Sequence, residues 1–193
     1  MKNARKITLY DIIIVALMAA IVFAVTMFLS IRIPTPTGTT MIKLANAFCL
    51  LAGILFGGWR GGLAAGLGSM FFDFMTPEYI PEAWLTFIRF FLMAFVCGQV
   101  AHAGGALGKR HTRNLVAAII ASVVSSVFYI GKNVAVLLLA GSALTPALIA
   151  QAPKVATSAV NIVVAVVVAM ALAPVLRRAL DSIHFYDRFG LRA

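Results

Sequence analysis

Charge is scarce in this chain of 193 residues: Asp and Glu number 6, Lys and Arg 16, and charged residues make up 11%. With 62% hydrophobic residues and a mean hydropathy of +1.01, that scarcity excludes an ordinary soluble domain and a disordered chain. Cysteine is rare, and Cys49 and Cys97 each sit inside an apolar segment, where they read as small hydrophobes and not as a disulfide. His102, His111 and His184 are scattered, so no metal centre is expected. The nearest approach to a phosphate-binding loop, Gly104 to Arg110, has Ala103 where the first glycine belongs and Arg110 in place of Ser or Thr. Gly66-Leu-Gly68-Ser69-Met70 is not a nucleophile elbow. No catalytic residue and no cofactor is therefore expected, and any ATP-driven step requires an ATPase on another chain.

What the chain has is apolar length. Six segments of about 11–31, 40–57, 61–75, 83–103, 115–140 and 146–176 fill it from end to end. The expected class is an all-α integral membrane protein, one transmembrane domain over 1–193 with six helices in a single bundle. Lys2, Arg5 and Lys6 precede the first run as in a signal peptide, but Ser30-Ile-Arg32-Ile-Pro34 is no cleavage site, and the run reads as an uncleaved helix. The net charge of +10 does not point to nucleic acid. Lys2, Arg5, Lys6, Arg60, Lys109, Arg110, Arg113, Arg177, Arg178, Arg188 and Arg192 fall on one side of a six-crossing topology. That is the positive-inside pattern, with both termini cytoplasmic and the bilayer as the first partner.

Segments two and three are short. At ~1.5 Å per residue, a run of 15 residues spans about 22 Å against a hydrocarbon core of ~30 Å. Two short helices or a re-entrant hairpin both satisfy the charge pattern, and Trp59-Arg60 at the tip favours two short helices. Pro34 and Pro36 bracket a stiff loop that turns at Gly38, and Pro81 suits the start of helix four.

Polar residues inside a membrane protein are costly and point to function. Here they gather in the outer half. Arg89 lies about six residues, roughly 9 Å, into helix four and shares a face with Glu82 and Thr86. Ser122, Ser126, Tyr129, Lys132 and Asn133 form a stripe on helix five, and Gln151, Lys154, Ser158 and Asn161 another on helix six. Lys43 and Asn46 open helix two, Asp73 ends helix three, and Trp84 stands at the head of helix four. One-sided polarity suits a pocket better than a channel, which needs polar lining throughout. The candidate substrate-binding residues are therefore Lys43, Asn46, Trp84, Arg89, Tyr129, Lys132, Asn133, Lys154, Ser158 and Asn161. Alternatives stand beside them: Arg89 pairing with Glu82, Lys154 snorkelling to the headgroups, Asn161 joining helices. The cation excess points to an anionic group on the ligand.

Ala16, Ala20 and Ala24 recur every four residues in the first segment, a small-residue stripe that lets another helix approach closely in lipid. Either Gly62 and Gly66 of this chain or a partner helix fills it. With nothing in the chain to supply energy, partner docking is the preferred use.

Several of these stretches resemble one family. The alanine helix, Arg32-Ile-Pro34, Leu50 to Gly58, Gly61 to Ser69 with Asp73, and Phe87-Ile-Arg89-Phe-Phe-Leu-Met-Ala are similar to the S components of energy-coupling factor (ECF) vitamin transporters, nearest to the riboflavin-type group. Members often carry Lys where this chain has Arg89, and nothing in helix five names a ligand. The resemblance implies a prokaryotic cell-membrane protein with a pocket near the outer face, covered by loops such as 32–43. It also implies docking through helix one onto a transmembrane coupling protein that carries two ATP-binding subunits, and a vitamin or vitamin precursor as substrate. The reading from another class is a membrane-embedded enzyme or a helix-packing assembly protein.

Overall fold

Most apolar runs in this chain form helices, and Gly57 and Gly141 turn the chain between them with positive φ. In the computed structural model, residues 8–35, 38–182 and 185–188 are described; Lys2, Arg5, Lys6, Pro36, His184 and Arg192 lie outside them. Helix α1 spans Leu9–Phe28 and is started by a capping box, with Thr8 N–H donating to Asp11 Oδ2 at 2.8 Å and Asp11 N–H donating to Thr8 Oγ1 at 3.4 Å. Strands β1 (Ser30–Thr35) and β2 (Gly38–Lys43) form an antiparallel hairpin with Ser30 opposite Lys43 and Thr35 opposite Gly38. Its Ile and Thr residues favour extended backbone, and Gly38 has φ +101° at the turn.

Helix α2 (Ala45–Phe56) is buried along nearly its whole length, turns at Gly57 with φ +84°, and returns as α3 (Gly58–Phe74). A 3-10 turn over Pro77–Glu82 contains Pro81 and leads into α4 (Ala83–His102). Helices α5 (His111–Leu139), α6 (Leu144–Ala150), α7 (Ala152–Ser182) and α8 (Phe185–Arg188) complete the chain.

Two segment readings change. The run 40–57 is not all helix, because residues 38–43 pair with β1 before α2 begins at Ala45. The run 146–176 is divided, with α6 ending at Ala150 and α7 starting at Ala152; Pro153, lacking an N–H, suits the first turn of a helix but not its interior.

The core lies around α2. Leu50, Leu51, Ile54 and Cys49 meet Met93, Ala94 and Cys97 of α4, Ala117 and Ala121 of α5, and Ala165 and Ala169 of α7. Both cysteines are free and buried. The outer surface carries large apolar side chains such as Leu17, Phe28, Trp59, Val127 and Val163. Four helical stretches, Leu9–Phe28, Pro77–Gly105, His111–Leu139 and Ala152–Ser182, are long and apolar enough to cross a membrane. In lipid such a surface is stable because the helical backbone satisfies its own hydrogen bonds.

At the end of the bundle away from the hairpin, basic side chains bind local acceptors. Arg60 pairs with Asp11 at 2.5 Å, Arg113 donates to the Ala103 carbonyl and Arg177 to the Leu107 carbonyl. These contacts tie α1 to α3, and α7 to the loop that follows α4.

Candidate functional site

At the hairpin end, β2, α2, α3, the 3-10 turn, α4, α5 and α7 enclose a cavity of about 390 Å³, near the lower end of the ~300–1,000 Å³ of small-molecule sites. Lys43, Asn46, Arg89, Tyr129, Lys132, Asn133, Lys154, Ser158 and Asn161 all line it. Their helical spacing brings them there: Tyr129, Lys132 and Asn133 fall on one face of α5, and Lys154, Ser158 and Asn161 on one face of α7.

Trp84 does not line the cavity. Its neighbour Ala83 is 2% exposed and takes the inward position, while Trp84, roughly a quarter-turn further round α4, is 61% exposed. Trp84 is not among the residues brought together at the cavity.

The hydrogen bonds assign distinct roles. Lys132 Nζ pairs with Glu82 Oε2 at 2.5 Å, so Glu82 serves Lys132 and not Arg89. Arg89 Nε donates to Ser125 Oγ at 3.0 Å, and its guanidinium lies 4.3 Å from the Tyr129 ring centre, close enough for cation–π attraction. Lys154 Nζ donates to Asn133 Oδ1 at 2.7 Å, and Asn133 donates in turn to the Tyr129 carbonyl. Lys154 is thus held inward, 3% exposed, and does not snorkel to a headgroup region. Asn161 accepts from Lys43 N–H and donates to the Met41 carbonyl, both at 2.8 Å. Its carboxamide braces β2 while its side chain borders the cavity.

Lys43 lies on β2, outside the helices. Enclosure by protein pulls its ammonium down to about 8; Asp73 opposes that shift, and Arg89 and Arg32 add to it. No carboxylate comes within ion-pair distance of Lys43 among the described residues. Asp73, 3% exposed, lines the same cavity.

The cavity also recruits Thr40, Met41, Glu78, Tyr79, Leu85, Phe90 and Phe128. The aromatic members carry no signal separating them from lipid-facing rings, and Thr40 and Met41 enter only because the hairpin folds over the site. Tyr129 Oη to Thr40 Oγ1, at 3.4 Å, is one of the contacts that close it.

The alanine stripe is elsewhere. Ala16 and Ala20 are exposed and Ala24 is half-buried, because α1 turns Ile14, Ala19, Val22 and Thr26 inward. Gly62 and Gly66 do not receive the stripe: they abut Phe91 and Phe87 of α4, while Gly68 faces the Ala19 carbonyl. Ala16, Ala20, Leu63, Leu67, Phe71 and Trp59 instead border an open apolar groove between α1 and α3.

A bundle of membrane-length helices enclosing a polar cavity at one end defines a membrane protein that binds a small solute. Over residues 6–178 the chain matches the family described as the ECF-type riboflavin transporter, S component, and it belongs to that family. The solved S component of a bacterial ECF transporter is similar in fold, with a TM-score of 0.61 at 20% identity over 89% of this chain and 97% of that one. A comparison with curated proteins gives no match. The chain is therefore a substrate-binding membrane subunit of an ECF importer in a prokaryotic cell membrane, a transport protein and not an enzyme.

Proposed function

We propose that this subunit captures a small water-soluble vitamin or vitamin precursor in the hairpin-end cavity, with Lys43, Asn46, Arg89, Tyr129, Lys132, Asn133, Lys154, Ser158 and Asn161 forming the site. The observation that carries this reading is the convergence of nine polar side chains from five elements on one cavity of vitamin size. Independent structural uses of buried polar groups do not gather at one depth, since each is costly in a membrane. Riboflavin, named in the family's description, is one candidate.

The topology proposed is six crossings with both termini cytoplasmic, which puts the cavity on the outer side. In its support, Arg60, Arg113 and Arg177 make their contacts at the end opposite the hairpin, as the positive-inside rule requires of a cytoplasmic face. Delivery depends on a transmembrane coupling protein with two ATP-binding subunits. The exposed Ala16 and Ala20, with Ala24, supply the docking face. Uptake of labelled vitamins by vesicles tests the proposal: accumulation requires this chain, the coupling protein and ATP together. Accumulation without the coupling module, or none with the complete module across the water-soluble vitamins, contradicts it.

A further inference from the structure

Resting on the vitamin-binding reading, we propose that the ligand carries an oxyanion, a carboxylate or a phosphate, that seats between Lys43 and Arg89 against the ring of Phe90. The charges in the cavity do not cancel evenly. Glu82 is taken by Lys132, and Lys154 is held by Asn133. Lys43 and Arg89 remain. Lys43 Nζ lies 5.7 Å and Arg89 Cζ 5.0 Å from the centre of the same Phe90 ring, and all three residues line the one cavity. Only the Nε of Arg89 has a hydrogen-bond partner among the described residues, leaving its two terminal amino groups available for a bidentate contact. Lys43 has ring neighbours, Phe72 and Phe90, but no hydrogen-bonded anion among the described residues.

Asn46 asks for a donor on the same ligand. It is 5% exposed, lines the cavity, and its buried carboxamide oxygen has no partner. Unsatisfied buried amides are rare in folded proteins. A ligand that donates a hydrogen bond to this oxygen while its oxyanion meets Lys43 and Arg89 satisfies all three. Asp73 lines the same cavity and acts on Lys43, but one carboxylate against two cations leaves an excess of positive charge, which a bound oxyanion offsets.

Four acid and neutral pairs test this by calorimetry on the purified full chain: FMN and riboflavin, pyridoxal 5′-phosphate and pyridoxal, pantothenate and pantothenol, nicotinate and nicotinamide. The expected result is that the acid binds at least tenfold more tightly than its neutral partner in any pair that binds. Lys43→Met should abolish that preference, Arg89→Met should do the same, and Lys43→Arg should retain it. Lys43→Met should also raise the melting temperature of the ligand-free protein, a gain that a purely structural lysine does not give. Equal binding within a pair, preference for a neutral member, or no acid binding below 1 mM overturns the proposal. A neutral vitamin that binds tightly leaves the vitamin reading intact while removing the oxyanion; if no vitamin binds in any form, both fall.

Discussion

The side chain of Asn161 on α7 treats the backbone around Lys43 as a neighbouring strand would: its oxygen accepts from Lys43 N–H and its nitrogen donates to the Met41 carbonyl, both at 2.8 Å. A two-stranded hairpin is marginal by itself, and this carboxamide fastens β2 to the helical bundle. It also fixes where the Lys43 ammonium emerges. Asn161→Leu should therefore raise hydrogen exchange over residues 38–43 and weaken ligand binding by roughly tenfold, since two lost bonds are each worth ~0.5–1.5 kcal/mol. Unchanged exchange at Met41 and Lys43 contradicts the bracing role.

Lys132 and Glu82 form a close ion pair, but Glu82 is 49% exposed at its side chain. Solvent screening limits such a pair to about 1 kcal/mol or less. Glu82→Gln should accordingly shift the melting temperature little, while freeing Lys132 for the cavity and strengthening binding of an anionic ligand. A large destabilisation by Glu82→Gln, measured by thermal unfolding, contradicts this assignment.

The pH dependence of binding should follow Lys43. With its ammonium near 8 in the empty protein, against an ordinary 10.5, affinity for an anion should fall as pH rises through 8. The empty fold should behave in the opposite sense. Between about 8 and 10.5 the folded chain holds fewer protons than the unfolded one, so stability rises with pH across that window. The groups that face Lys43 are Asp73 of α3, Arg89 of α4, Cys49 of α2 and Arg32 of β1. Calorimetric titrations from pH 6.5 to 9.5, repeated with Lys43→Met, check both trends; the variant should lose them.

Ala16→Leu or Ala20→Phe should abolish co-purification with the coupling protein while leaving vitamin affinity within twofold of the parent. Both alanines are exposed on α1 and border the open groove, so a larger side chain occupies the groove and blocks a partner helix from approaching. Loss of binding and assembly together contradicts a docking role.

Much of this arrangement is legible without coordinates. In a chain with so few charges, the polar positions of α5 and α7 stand out, and spacing of three and four assigns them to shared faces. Trp84 shows where such reasoning ends. An aromatic at the head of a membrane helix has no periodic signature for its direction, and the adjacent alanine decides the matter by packing inward. The hairpin is hidden for another reason: Thr39 to Lys43 is too short a run for alternation to be diagnostic. Its pairing depends on β1 and on the distant Asn161. Likewise, Glu82's choice of Lys132 over Arg89 depends on how α5 lies against the 3-10 turn, a tertiary fact with no sequence-local trace.

Native mass spectrometry of the purified chain tests the central claim most directly. The account predicts one retained vitamin or vitamin precursor per protein molecule, displaced by an excess of the same compound and retained poorly by Arg89→Met. A chain that retains no such molecule and binds none on addition, or that alone turns over a lipid or peptide, contradicts it.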